Sequence, residues 1–354
     1  MFTTYATSGG GMIAWPEPTN ATAINEKTQR HTEANARPRA TAQLPSAEIA
    51  PYWYELGPTT TVPRAPRASA KRAPQAARPE PRNSSIPEAN RPIIGERSGA
   101  TALITLNRPA VLNALDMQMI TLLRAHLHEA GQDPSVRAII ITGQGVGFCA
   151  GGDLKFAQTL NPDQPGDSFL ALTAVLHATI AEIRAMPKPV IAAINGPAAG
   201  AGLFLALACD LRVMAQGAYL KQSNTSYGLS IPAGGTFLLP RLVGLSRALE
   251  IAMLDKPIFA ASALELGLVT QVVPEAMLLT EAQQLADRVA RRAGDAIGRT
   301  KALLNSAFYH TLEEHLQLER QAIAATANSA EGREGLAAFL EKRQPAFNQT
   351  RSAQ

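Results

Sequence analysis

The sequence predicts a mostly parallel α/β core followed by a helical C-terminal section, and three observations predict it. Short, predominantly apolar runs (AIIITG, PVIAAI, LRVMA) alternate with longer segments of helical spacing. Such runs mark strands buried on both faces, as in parallel sheets. Beyond Ser262 the pattern turns almost wholly helical, with TQVVPE as one short extended exception.

The elements follow in order. TALITLNRP alternates as a strand does and stops at Asn-Arg-Pro. LDMQMITLLRAHLHEAGQD has helical spacing and a glycine stop. AIIITGQG is a short buried strand ending in glycine. A polar helix opening comes next, then a helix from about Ser168 to Ala185. KPVIAAING is a second buried strand, and the apolar helix after it leads into the strand DLRVMAQ. MLLTEAQQLADRVARRAGDAIGRTKALLNSAF is amphipathic, and LEEHLQLERQAIAAT repeats the pattern, so helices cover the core from the C-terminal side.

Residues 1–91 read differently. They hold about half of the 25 prolines, and TTTVPRAPRASAKRAPQAARPEPRNSS has neither helical nor strand period. Such a stretch buries too little apolar surface to offset its ordering entropy, so a disordered Pro/Ala/Arg-rich extension is expected. Its arginines and serines suggest a transit peptide, but its glutamates argue against one. Residues 1–100 carry 12 Lys and Arg against 8 Asp and Glu, which accounts for the whole net charge of +4. The neutral remainder offers no field for polyanions, so no nucleic-acid partner is expected. Cys149 and Cys209 lie in apolar or Gly-rich surroundings. They read as buried thiols in a reducing, cytoplasmic setting rather than a disulfide framework. No Cys or His pair has zinc-ligand spacing, and no metal is expected. No apolar run approaches the roughly 20 residues of a membrane helix, so no membrane partner is expected.

Two strand-to-helix loops are rich in small residues: GFCAGGDLK (Gly147–Lys155) and NGPAAGAGL (Asn195–Leu203). Each presents unpaired N–H groups at a helix start, where the backbone dipole favours negative charge. Tight packing of strand on helix also demands small residues, so each loop alone supports either reading. Neither has the spacing of a dinucleotide fingerprint or a phosphate-binding P-loop.

Together, and in this order, the segments resemble a known family. FCAGGDL, KPVIAAINGPAAGAGLFLALACDLR and YGLSIPAGGTFLLPRLVG resemble signature segments of the enoyl-CoA hydratase/isomerase (crotonase) superfamily. ITLNRPAVLNAL before them and EGREGLAAFLEKR after them fit as well, so the resemblance covers residues 93–347. It implies a crotonase-like ββα spiral core over 92–261 that binds acyl-CoA. It also implies a C-terminal helical trimerisation region over 262–347 and a disordered tail over 348–354. The assembly implied is a homotrimer or a dimer of trimers.

The substrate implied is an acyl-CoA, or the same thioester on a carrier protein. No separate cofactor is implied, because coenzyme A arrives as part of the substrate. The resemblance places the two backbone donors that grip the thioester oxygen at Gly152 and Ala201. Ala150, Asp153 and Leu154 match positions that contact the substrate or its CoA. Phe339 and Lys342 match the C-terminal helix that reaches a CoA, often in a neighbouring subunit; Phe339 reads equally as a core face of that helix.

The sequence departs from the family pattern where acid/base chemistry is expected. By the resemblance, the two hydratase glutamates fall at Phe204 and Asn224, and the isomerase aspartate falls at Pro232, or at Ala233 if the prolines are matched instead. Phe cannot activate water, and neutral Asn is no general base near pH 7. Candidates for a relocated proton carrier are Lys155, Tyr227 and Ser226, while Asn224 could orient a water or bind substrate. Phe204 is expected to narrow the pocket and suit a bulky acyl group. His177 reads as a pocket-lining residue or, more simply, a satisfied core histidine. The expected chemistry is isomerisation, decarboxylation or atypical hydration through an enolate. The alternative is a non-catalytic thioester-binding or assembly subunit.

Overall fold

A computed structural model describes residues 91–160 and 162–347. The extension expected to be disordered over 1–91 (Arg91 apart) and the tail over 348–354 lie outside the described residues. The main sheet has six strands: β1 (Ile93–Ser98), β2 (Thr101–Leu106), β3 (Ala138–Gly143), β4 (Val190–Ile194), β6 (Leu211–Ala215) and β9 (Gln271–Val273). They lie in that order, antiparallel between β1 and β2 and parallel elsewhere. Ile139 of β3 pairs with Val190, and Ile191 of β4 with Leu211. Every residue of β4 is buried, as an unbroken apolar strand between covered faces should be. A second sheet of three short strands, β5 (Ala198–Ala199), β7 (Tyr219–Lys221) and β8 (Ile258–Phe259), stands beside it.

Helices fill the crossovers. α1 (Met117–Gln132) buries Met119, Ile120, Leu123 and Leu127, the three-to-four spacing of one helix face. The Asp116 carboxylate caps its start by accepting the Met119 N–H at 2.8 Å. α2 (Leu154–Leu160) and α3 (Pro165–Ala185) follow β3. All eight residues of α4 (Ala201–Ala208) are buried, and each of its leucines contributes about 1.5–3 kcal/mol by leaving water. α5 (Gly235–Val243), α6 (Leu245–Leu254) and α7 (Ala260–Glu265) lead to β9. The chain ends in α8 (Leu278–Ala290), α9 (Gly294–Ser306), α10 (Leu312–Ala327) and α11 (Ala330–Leu340).

Several expectations need correction. β1 and the short second sheet carry no apolar run long enough to be seen in the sequence. The expected glycine stop, Gly131, lies inside α1. The amphipathic run after Met277 is two helices, α8 and α9, broken at 291–293. The boundary expected at 261/262 falls inside α7, and β9 beyond it belongs to the main sheet, so the core extends past it. α3 has the length and apolar composition of a membrane span, which the sequence reading denied. Leu172, Leu176, Ile180 and Ile183 nevertheless place one of its faces in the core.

Lys301 of α9 ties the C-terminal helices to the sheet. Its ammonium donates to Asp210 Oδ2 at 2.7 Å, to the Ile183 carbonyl at 2.8 Å and to the Lys188 carbonyl at 3.0 Å. Burial lowers the lysine pKa, and the Asp210 carboxylate opposes that shift. Lys301→Met leaves Asp210 without its cation and is expected to cost about 3 kcal/mol, measured by urea unfolding. A loss below 1 kcal/mol would show that water replaces the ammonium there.

Candidate active site

The loops after β3 and β4 meet through their backbones. Phe148 and Cys149 donate N–H to the Pro197 carbonyl at 3.1 and 3.2 Å, and Ala199 donates to the Cys149 carbonyl at 2.9 Å. Leu115 clamps the next residues: its N–H donates to Gly151 O at 2.7 Å and its carbonyl accepts the Asp153 N–H at 2.9 Å. In such a bridge the central residue, Gly152, turns its own N–H the other way. Gly151 sits at φ +101°, and a Cβ there would lie 2.9 Å from Ala199 O and 3.2 Å from Ala201 N, so only glycine fits.

Ala201 begins α4, so no helical carbonyl is free for its N–H; Pro197 O is already taken by the β3 loop. Among the described residues, the N–H groups of Gly152 and Ala201 donate to no protein acceptor. Both residues line one cavity of about 80 Å³. Its other walls are apolar side chains of α1 and α3, including Ile120, Phe169, Leu172 and Leu176, together with Ser223, Asn224 and Tyr227 from the segment after β7.

The site's charge is committed. Asp153 is the one carboxylate in the lining among the described residues. It caps α2 by accepting the Phe156 N–H at 3.1 Å and pairs with Arg108 at 3.1 Å. Arg108 also pairs with Asp116, the cap of α1, at 3.1 Å and donates to the Ala114 carbonyl at 2.6 Å. One guanidinium thus bridges two helix caps beside Gly152. Asn113, fully buried at φ +58°, accepts the Arg108 N–H at 2.8 Å and donates to Gly147 O at 2.8 Å. Sequence reasoning missed Arg108 and Asn113 as site residues, although both stand in the ITLNRPAVLNAL segment that carried the resemblance.

The expected residues divide. Gly152, Ala201, Ala150, Asp153, Leu154, Asn224, Tyr227 and Pro232 all line the cavity. Phe204 does not: its ring is fully buried against the Gly235 backbone, so it fills core rather than narrowing the pocket. Lys155 is exposed and outside the lining. Ser226 is bound to Asp255. Phe339 is 81% exposed, which removes the core-face reading, and neither it nor Lys342 reaches this cavity within one chain. His177 accepts the Ala233 N–H on Nε2 at 3.1 Å, so it holds the loop after Pro232 instead of lining the cavity. Burial pushes both thiols, Cys149 and Cys209, up to about 12, which removes them as nucleophiles.

The fold that carries these loops is shared with known proteins. The enoyl-CoA hydratase/isomerase sequence profile matches residues 96–350. The chain belongs to the enoyl-CoA hydratase/isomerase family. It is thus a crotonase-superfamily protein of acyl-CoA chemistry, as the motifs led one to expect. It is 39% identical over 245 residues to the 1,2-epoxyphenylacetyl-CoA isomerase of Escherichia coli, covering 69% of this chain and 93% of that one. It is 34% identical over 256 residues to the crotonyl-CoA hydratase of Syntrophomonas wolfei, covering 72% and 97%. Among solved structures, an enoyl-CoA hydratase from Polaromonas superposes with a TM-score of 0.69 at 38% identity, covering 72% of this chain and 98% of that one.

Arg108→Met removes the bridge between the two caps and lets the Gly152 segment relax. The expected outcome is a thermal midpoint lowered by several degrees and weaker butyryl-CoA binding by calorimetry. Unchanged affinity would mean that the Leu115 clamp alone sets the donor.

Proposed function

We propose that this chain binds the thioester oxygen of an acyl-CoA between the N–H groups of Gly152 and Ala201 and works through the resulting enolate. One observation carries this: two residues whose N–H groups have no protein acceptor among the described residues line a cavity that contains no uncommitted carboxylate. An enolate oxygen gains negative charge as the reaction proceeds, so fixed donors bind the transition state better than the ground state. The apolar walls at Ile120, Phe169, Leu172 and Leu176 suit an apolar acyl group.

The same observation argues against hydration. Of the two positions expected to hold glutamates, Phe204 is turned into the core and Asn224 is neutral. The chemistry that fits best takes its electron pair from a bond broken within the substrate, as in decarboxylation or ring-opening isomerisation. The enolate carbon then needs only a proton, for which Tyr227, a residue of the lining, is the candidate donor. The name of the Escherichia coli relative favours isomerisation and an aryl-bearing acyl group. We propose further that copies of this chain associate as a homotrimer or a dimer of trimers. The exposed Leu316, Ile323, Leu336, Phe339 and Leu340 of α10 and α11 form the kind of apolar surface an obligate interface covers.

The test is removal of one donor. Proline at the first position of a helix lacks an N–H and keeps a helical φ, so Ala201→Pro deletes the donor and spares α4. Mass spectrometry in deuterated water would follow turnover of crotonyl-CoA, methylmalonyl-CoA and phenylacetyl-CoA. The expected loss is about 10²–10³-fold in kcat, or roughly 2.7–4 kcal/mol of transition-state stabilisation. Equal rates in both proteins would remove the enolate reading, and binding without turnover of any thioester would favour an assembly subunit. Light scattering that finds a single 37.5 kDa chain would refute self-association.

A further inference from the structure

The segment that brings Asn224 and Tyr227 to the cavity is held from outside it by one buried carboxylate. Asp255 lies just past the end of α6, its side chain 5% exposed and outside the cavity lining. Its Oδ1 accepts the Ser223 N–H at 2.7 Å, and its Oδ2 accepts the Ser226 hydroxyl. The Lys221 ammonium stands 3.7 Å from Oδ2. These contacts bracket Asn224 on both sides along the chain. The end of α6 adds a second hold, because the Ala252 carbonyl accepts the Thr225 hydroxyl at 2.9 Å and the Gln222 amide at 3.2 Å.

Two features show that this anchor is maintained against a cost. Asp255 and Ser223 are both left-handed, at φ +47° and +57°, where residues bearing a Cβ are disfavoured. A buried carboxylate is also costly unless fully hydrogen-bonded. Glycine would remove the first cost and an apolar residue the second. What the pair of contacts secures is the position of Asn224. Its Oδ1 is buried, has no partner, and stands 3.5 Å from where a Cβ on Gly200 would lie. Gly200 directly precedes the donor Ala201, and its own N–H is bonded to the Lys221 carbonyl at 2.9 Å, so the segment and the donor loop share one hydrogen-bonded frame.

Resting on the acyl-CoA reading above, we propose that Asp255 is the positioning residue of this site. By fixing Ser223 and Ser226 it aims the Asn224 amide at the acyl-thioester, beside the Ala201 donor, where that amide contacts the substrate or the water that delivers its proton. Asp255 itself touches no substrate.

Glycine at 255 keeps the left-handed backbone without strain, so Asp255→Gly tests the carboxylate and not the fold. Hydrogen exchange should speed up by about tenfold or more at the amides of 223–227 while the thermal midpoint stays close to wild type. Decarboxylation of methylmalonyl-CoA in deuterated water, read as propionyl-CoA labelled at Cα, should lose about 10–100-fold in kcat with a much smaller change in KM, and Asp255→Asn should recover part of the loss. Because Asp255 acts through Asn224, Asp255→Gly should add almost nothing to Asn224→Ala, whereas a merely structural role makes the two losses additive. Wild-type exchange at 223–227 in Asp255→Gly, or additivity in the double variant, overturns the proposal. Wild-type protein that labels no thioester removes the enolate reading alone. The same double-variant cycle, run on the dissociation constant for butyryl-CoA, then decides the role of Asp255 by the same criterion.

Discussion

The backbone hydrogen bonds between the loop after β3 and the loop after β4 are the constraint on which the rest of this structure depends. Parallel neighbours in the sheet deliver both loops to the same edge, and the bonds from Phe148, Cys149 and Ala199 lock them together. The approach is so close that side chains must be absent. A Cβ on Gly202 would lie 2.3 Å from the Cys149 carbonyl oxygen. Once the loops are joined this way, the local carbonyls are spent on one another. Among the described residues, the N–H groups of Gly152 and Ala201 are what remain without a protein acceptor, and both residues line the cavity. That these two N–H groups stay unpaired is therefore a by-product of how two loops satisfy each other's backbone.

A second consequence concerns charge. Side chains that could transfer protons are present near the cavity, but the fold employs them as fasteners. Asp153 caps a helix and pairs with Arg108, Asp255 fastens the Ser223–Ser226 segment, and His177 accepts a backbone N–H beside Pro232. Proton transfer then falls to Tyr227, the lining residue proposed above to supply the enolate carbon's proton. On the proposed reading, that division lets backbone N–H groups stabilise charge where neither of the two expected glutamates is present.

Much of this was legible in the sequence because it rests on local pattern. Predominantly apolar runs such as AIIITG and PVIAAI marked parallel strands, since burial on both faces leaves few polar positions. Gly- and Ala-rich joints after them marked bare backbone. The order of five motifs was enough for the family, and Gly152, Ala201, Asp153 and Asn224 all came to one cavity as the motifs implied. Phe204 was misplaced for a physical reason. Motif position names a residue's slot on a helix but not its rotamer, and an aromatic ring on α4 finds the Gly235 backbone a better neighbour than an open cavity. Lys155 was misjudged in the same way, since proximity in sequence to the donor loop says nothing about which side of α2 faces inward.

The sequence by itself determined the parallel α/β class, the family and the two bare donors, because each is written in contiguous residues whose spacing obeys strand or helix geometry. Only the tertiary structure decided which charges are free. Arg108 with Asp153 are 45 positions apart, Ser226 with Asp255 are 29, and His177 with Ala233 are 56. Whether a carboxylate or an imidazole acts or merely fastens depends on the partner it meets across such distances, and chain folding alone sets those meetings.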